Sequence, residues 1–130
     1  MSIRRLNEDV NLAVVTDGER NRFPMFDRVI PYDPEYGEGV VQKLHLDKYT
    51  PFDETLFIDS DCLAYRDPEG LWKIYREAEG FGVLAWNYKD RTDCHPFINA
   101  DLGDVFDAVG VSRMPFFNGG LYYFDSSHAA

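Results

Sequence analysis

The chain has 130 residues, with 23 Asp plus Glu against 13 Lys plus Arg, a formal charge of −10 and a sequence pI near 4.6. Apolar residues make up 45% and aromatics 15%, too many for a disordered chain, and the length suits one domain able to bury about two-thirds of its unfolded surface. The acidic balance offers no basic patch to neutralise phosphates, which argues against nucleic acid or an anionic membrane as a partner; an anionic ligand would call for a divalent cation.

No stretch approaches 18 uninterrupted apolar residues, so no membrane span is expected, and Arg4-Arg5 have no apolar run behind them of the kind a secretory signal needs. Two cysteines, Cys62 and Cys94, are too few for a disulfide scaffold and fit no zinc spacing; Cys62 reads as a small buried side chain. The expectation is a soluble, cytoplasmic protein.

In chain order, Leu12–Thr16 is a β-branched run ending at the turn Asp17-Gly18, and Phe26–Ile30 is a second short strand. Pro31, Pro34, Gly37 and Gly39 then form what reads as the most flexible loop of the first half. Val40, Val41, Leu44 and Leu46 alternate with polar residues in a pattern that suits a short helix, stopped before Pro51. Leu56-Phe57-Ile58 is an unbroken apolar run, the mark of an interior strand buried on both faces. Asp67 and Pro68 open a helix that carries Leu71, Trp72, Tyr75 and Ala78 at helical spacing and ends at Gly80. Phe81–Trp86 is a strand, and residues 87–100 are a polar loop long enough to be functional. Asp101–Val109 is a helix with Leu102, Val105, Phe106 and Val109 on one face and Gly110 at its end, and Leu121–Phe124 is a last strand before a helix cap at Asp125-Ser126. This alternation predicts an α/β fold with a mainly parallel central sheet flanked by helices, and Leu71, Trp72 and Val105 in the core.

Asp59-Ser60-Asp61 follows directly on the apolar run. With 15 aspartates in the chain, roughly two Asp-x-Asp triplets arise by chance, so position carries the weight. Ligands of open α/β sheets sit beyond the carboxyl ends of strands, and residues two apart in extended chain point the same way. Two such carboxylates repel unless a cation lies between them, and oxygen ligands suit Mg²⁺ or Mn²⁺. The same pair also fits a turn or cap.

The stretch from Gln42 to Trp72, with Lys43-Leu44 before the strand, Asp59-Ser60-Asp61 after it and Leu71-Trp72 in the next helix, resembles the central segment of glycogenin-like (family 8) glycosyltransferases. Phe116-Phe-Asn-Gly-Gly-Leu-Tyr-Tyr-Phe124 resembles a second motif of that family, in the same order along the chain. The resemblance implies a GT-A fold and transfer of a sugar from a nucleotide-diphosphate donor. Carried over, Asp59 and Asp61 would hold Mn²⁺ or Mg²⁺; Lys43 and Ser60 would lie against the donor; Asn118 would hydrogen-bond the donor sugar, and Gly119 and Gly120 would leave room for it. Lys43 alone also fits a solvated helix lysine, and Asn118-Gly119-Gly120 a plain turn before a strand. His45, His95 and His128 match no family ligand. The family's first strand and its later metal and catalytic motifs have no counterpart in these 130 residues, so the expectation is one domain, 1–130, resembling the middle of the fold. Three readings follow: a metal-dependent glycosyltransferase, a non-catalytic or truncated module of the same fold, and an interaction domain in which the aspartates only cap a turn. An uncovered sheet edge would favour homo-oligomers, through that edge or through Phe116, Phe117, Tyr122 and Tyr123.

Overall fold

A computed structural model describes residues 2–77, 80–90 and 101–125. The element order is α1 (Ser2–Leu6), β1 (Ala13–Thr16), β2 (Arg28–Pro31), α2 (Leu46–Tyr49), β3 (Glu54–Ile58), α3 (Glu69–Arg76), β4 (Phe81–Asp90), α4 (Leu102–Val109) and β5 (Arg113–Asp125), with 3₁₀ turns at Arg20–Arg22, Pro34–Tyr36 and Gly39–His45. The fold is mixed α/β. Its strands form two small sheets: β1 and β2 pair in parallel, and a three-stranded sheet runs β3-β5-β4, with β3 antiparallel to β5. A mainly parallel sheet is therefore not what the described strands build, and β3 is outermost rather than interior. Each of its five residues is half-buried, so the apolar run Leu56–Ile58 marks a strand covered on both faces but open along one edge.

Several boundaries follow local chemistry. The Asp67 carboxylate accepts from Glu69 N–H at 3.0 Å and opens α3. Asp101 Oδ1 accepts from Gly103 N–H at 2.7 Å and caps α4. At its other end Gly110 takes φ 72°, a left-handed conformation that suits glycine, and Val111 N–H reaches back to Phe106 O at 3.1 Å. The Val40–Tyr49 segment coils, but as a 3₁₀ turn followed by the single turn of α2. Residues three apart share a 3₁₀ face, so Val41 (44% exposed) and Leu44 (77%) face solvent together while Gln42 and His45 are half-buried together; Val40 (76%), at the start of the turn, is exposed as well. The last strand is 13 residues long, far beyond Leu121–Phe124, and takes in the whole Phe116–Phe124 motif. The short helix α1 buries Ile3 and is held by Ser2 Oγ accepting from Ala64 N–H at 2.9 Å and by Arg4 bound to Asp27 at 2.5 Å.

By contacts the chain divides into two units, Met1–Gly82 with Gly120–Ala130, and Val83–Gly119. The first buries Ile3, Leu12, Tyr49, Tyr75, Tyr123 and Phe124. Tyr123 lies opposite Leu56 in the β3–β5 ladder, with Trp72 edge-on at 6.0 Å and Tyr75 stacked at 5.8 Å. Trp72 and Leu71 themselves stay half-buried. Gly82 is required beside this stack, since a Cβ there would come within 2.7 Å of the Tyr75 ring. The second unit buries Leu102 and Phe106 of α4, whereas Val105 is half-buried and Val109 exposed. No helix among the described residues is long and apolar enough to cross a membrane. Cys94, His95, Ser126 and His128 lie outside the described residues.

Candidate functional site

The Gly39–His45 turn is fixed by a set of hydrogen bonds that bind it to the loop before it. Gln42 Nε2 donates to Gly37 O at 2.5 Å and to Asp33 O at 2.8 Å. The Tyr49 hydroxyl donates to Gln42 Oε1 at 2.5 Å and accepts from Asp33 N–H at 2.9 Å, and Tyr32 closes the loop by donating to Gly37 O at 2.7 Å. Gly37 (φ 90°) makes the bend that a side chain would resist. Within the proline- and glycine-rich stretch, Tyr32, Gln42 and Tyr49 thus satisfy backbone groups of Asp33 and Gly37. His45, stacked on Tyr36 at 4.8 Å, adds to the same packing.

This scaffold sets Lys43 at the carboxyl end of β3. Its Nζ lies 2.6 Å from Asp59 Oδ1 and 2.8 Å from Oδ2, and 5.6 Å from the centre of the Phe57 ring. Phe57 is in turn stacked on Tyr122 at 5.8 Å. Lys43 and Asp59 are 27% and 29% exposed, so the pair is partly withdrawn from water, where its attraction is screened less than at an open surface. The backbone N–H of Asp59 donates to Gly120 O at 2.9 Å, tying the start of the Asp59 turn to β5. Three residues nominated on sequence are thereby brought together: Lys43, Asp59 and Gly120.

The other nominated residues sit differently. β3 ends at Ile58, and Cys62 N–H donates to Asp59 O at 3.0 Å, so Ser60 and Asp61 lie in a turn rather than in extended chain. The rule that residues two apart point the same way does not apply there, and both are exposed, as is Cys62, which was expected to be buried. Asn118, Gly119 and Gly120 stand inside β5 and not in a turn before it; Asn118 and Gly119 belong to the second unit. Among the described residues no group of three or more His, Cys, Asp or Glu is placed to hold a metal ion. Two carboxylates suffice for Mg²⁺ or Mn²⁺ when phosphate and water oxygens complete the shell. Asp59 and Asp61 are the residues that would hold such an ion, and Asp59 would have to share its charge with Lys43.

A second feature escaped the sequence reading. A cleft of about 390 Å³ opens where the parallel strands β1 and β2 end, lined by Thr16, Asp17, Gly18, Arg20 and Tyr32 with Val29 and Pro31. Two of these lining residues are bonded to each other: Thr16 Oγ1 accepts from Gly18 N–H at 3.0 Å. The Asp17-Gly18 turn was the available signal, because turns after parallel strands form the ligand crevice of open sheets. No known protein family, curated protein or solved structure matches the chain.

Proposed function

We propose that the chain is a glycosyltransferase-type module of the GT-A class, which binds the diphosphate of a nucleotide sugar at the carboxyl end of β3 and transfers a hexosyl group to an acceptor. What supports the reading above all is the meeting of Lys43 with Asp59: two residues sixteen positions apart, named by the family resemblance, pair at a strand's carboxyl end. Lys43 supplies positive charge to donor phosphate in a chain of net charge −10, and Asp59 holds its ammonium in place. A divalent ion bound by Asp59 and Asp61 would act as a Lewis acid, stabilising charge on the departing diphosphate. Ser60, exposed between them, is open to the donor. A second reading rests on the same pair. An aspartate already neutralised by a lysine has less demand for a divalent cation, which favours a module that keeps the fold and binds nucleotide without transfer.

Calorimetric titration of UDP, GDP and ADP with and without millimolar Mn²⁺ tests the proposal. Binding of at least one nucleotide, strengthened by Mn²⁺ and returned to its metal-free level by Asp61→Asn, is the expected result. Absence of heat for all three nucleotides, with and without metal, would overturn it. Release of UDP from UDP-sugars then separates the transferase from the non-catalytic module.

A further inference from the structure

The strand β4 presents Leu84, Trp86 and Tyr88 at alternate positions, which places them on one face of the strand. They are 56%, 61% and 55% exposed, an uninterrupted apolar row on a strand that is outermost in its sheet among the described residues. The row is held in shape from beside: the Trp86 ring meets Phe116 edge-on at 5.4 Å, and the Arg113 guanidinium covers one face of Tyr88 at 4.6 Å. Ala85 and Asn87, on the opposite face, are exposed as well. Outer strands are usually protected by proline, inward-pointing charge or short length. From Val83 to Tyr88 this strand has no proline and no charged residue.

We propose that β4 is a self-association surface, and that its occupant is the β4 strand of a second copy, joined antiparallel about a two-fold axis at Trp86. In that register Trp86 faces Trp86, and Leu84 faces Tyr88 of the second copy, so the apolar row is complementary to itself. On the other side Ala85 meets Asn87 and Val83 meets Lys89, and no like charges stand opposite each other. Because the strands would join edge to edge, the outer face of the row stays in water and only the flanks of the three side chains are covered. The pair of copies then loses well under about 700 Å² of apolar surface, to which the ladder adds its main-chain contact. That is the range of a weak, reversible dimer rather than an obligate one. The aromatic residues expected to serve this role are less available: Tyr123 is buried, and Phe116, Phe117 and Tyr122 are half-buried. Because each copy carries −10, association works against net repulsion and should tighten as salt screens it.

Sedimentation velocity on the full chain from micromolar to millimolar concentration, in 50 and 500 mM NaCl, provides the test. The expected result is a monomer–dimer equilibrium, tighter at high salt. Trp86→Glu, which sets two carboxylates against each other on the axis, should weaken it at least about 30-fold. Leu84→Lys should do the same by an independent route should Trp86→Glu prove poorly folded by circular dichroism. Ile74→Glu, at an exposed apolar position on α3, should leave the equilibrium unchanged. A monomer at every concentration and salt, or a dimer that survives both β4 variants, would overturn the proposal. Neither outcome bears on nucleotide binding at Asp59.

Discussion

The two ends of β3 each carry an ion pair, and the pairs differ in kind. At the amino end, Arg76 of α3 grips Glu54 with a guanidinium fork: Nε to both carboxylate oxygens at 3.0 and 3.1 Å, and Nη2 to Oε2 at 2.6 Å. The Tyr123 hydroxyl adds a longer contact to Glu54 at 3.4 Å, and the Arg76 guanidinium lies 5.7 Å from the Trp72 ring centre. At the carboxyl end a single ammonium, Lys43, serves Asp59, next to an exposed turn that carries Ser60 and Asp61. A planar fork fixes orientation through several bonds at once, whereas an ammonium is a point charge that swivels and shares itself with a newcomer. The amino end is built to hold α3 on the sheet. The carboxyl end is held by one ammonium beside an exposed turn, and under the proposed function it is this end that would take a further charged group.

Exchanging the two cations for methionine breaks or sharpens this contrast, and it carries the largest effect. Lys43→Met should weaken binding of UDP, or of whichever nucleoside diphosphate binds best, by at least about tenfold, the loss of one charge-assisted bond. It should also cost about 1 kcal/mol of stability, since Asp59 is left partly buried without its partner. Arg76→Met should leave nucleotide binding unchanged and lower the urea midpoint less than Lys43→Met does, because that pair is largely exposed and screened by solvent. Calorimetry and urea unfolding read both. Equal losses of affinity in the two variants would erase the functional distinction between the ends.

Acid titration sharpens the same comparison with a smaller effect. The Arg76 guanidinium holds the Glu54 carboxyl below its usual range, and the Leu12 N–H, followed by Arg4, does the same for Asp27. A carboxyl whose folded pKa is depressed contributes stability that is complete above its unfolded pKa and lost as pH falls through the folded one. The pH window is therefore below about 4.5, where unfolded carboxylates take up protons. Urea midpoints should hold steady from pH 7 to 5 and then drop, and Glu54→Gln should make the drop shallower while lowering the plateau. An unchanged slope in Glu54→Gln would assign the acid sensitivity to other carboxylates.

Much of this arrangement was legible in the residues, and the failures have physical causes. The caps at Asp67 and Asp101 and the stop at Gly110 depend on bonds within a few residues, and sequence reports such bonds directly. Sheet order does not: an apolar strand such as Leu56–Ile58 reads alike whether it lies inside a sheet or at its margin, as long as both faces are covered. The 3₁₀ winding of Gly39–His45 was hidden because its causes, Tyr32 and Tyr49 binding across the loop, lie in the tertiary structure. Lys43 and Asp59 could be named from a family resemblance, yet the bonds of Gln42 and Tyr49 to each other and to Asp33 that set Lys43 in place are tertiary and could not be read from spacing. Leu84, Trp86 and Tyr88 alternate as a half-buried strand should, and only the structure shows that the alternation faces outward.

The smallest effect concerns Tyr75, whose ring lies against Tyr123 near the amino end of β3. Tyr75 is 4% exposed, and among the described residues its hydroxyl is a buried side-chain oxygen without a hydrogen-bond partner. Burial pushes its phenol pKa up, as expected where the charged form has no counter-ion. Tyr123 is equally buried, but its hydroxyl reaches Glu54. Removing a buried hydroxyl that has lost its water and gained no partner relieves a desolvation penalty, whereas removing one that is bonded forfeits the bond. Tyr75→Phe should therefore stabilise the chain by up to about 1 kcal/mol, and Tyr123→Phe should be neutral or destabilising by a similar amount. Both keep the stacked rings and their 5.8 Å separation, so the two hydroxyls are compared within one aromatic pair. Urea unfolding with an unchanged m-value checks the pair, since the midpoint then moves with stability alone. A Tyr75→Phe chain less stable than wild type by 1 kcal/mol or more would mean that this hydroxyl has a bonding partner and that the amino end of β3 holds a further polar link.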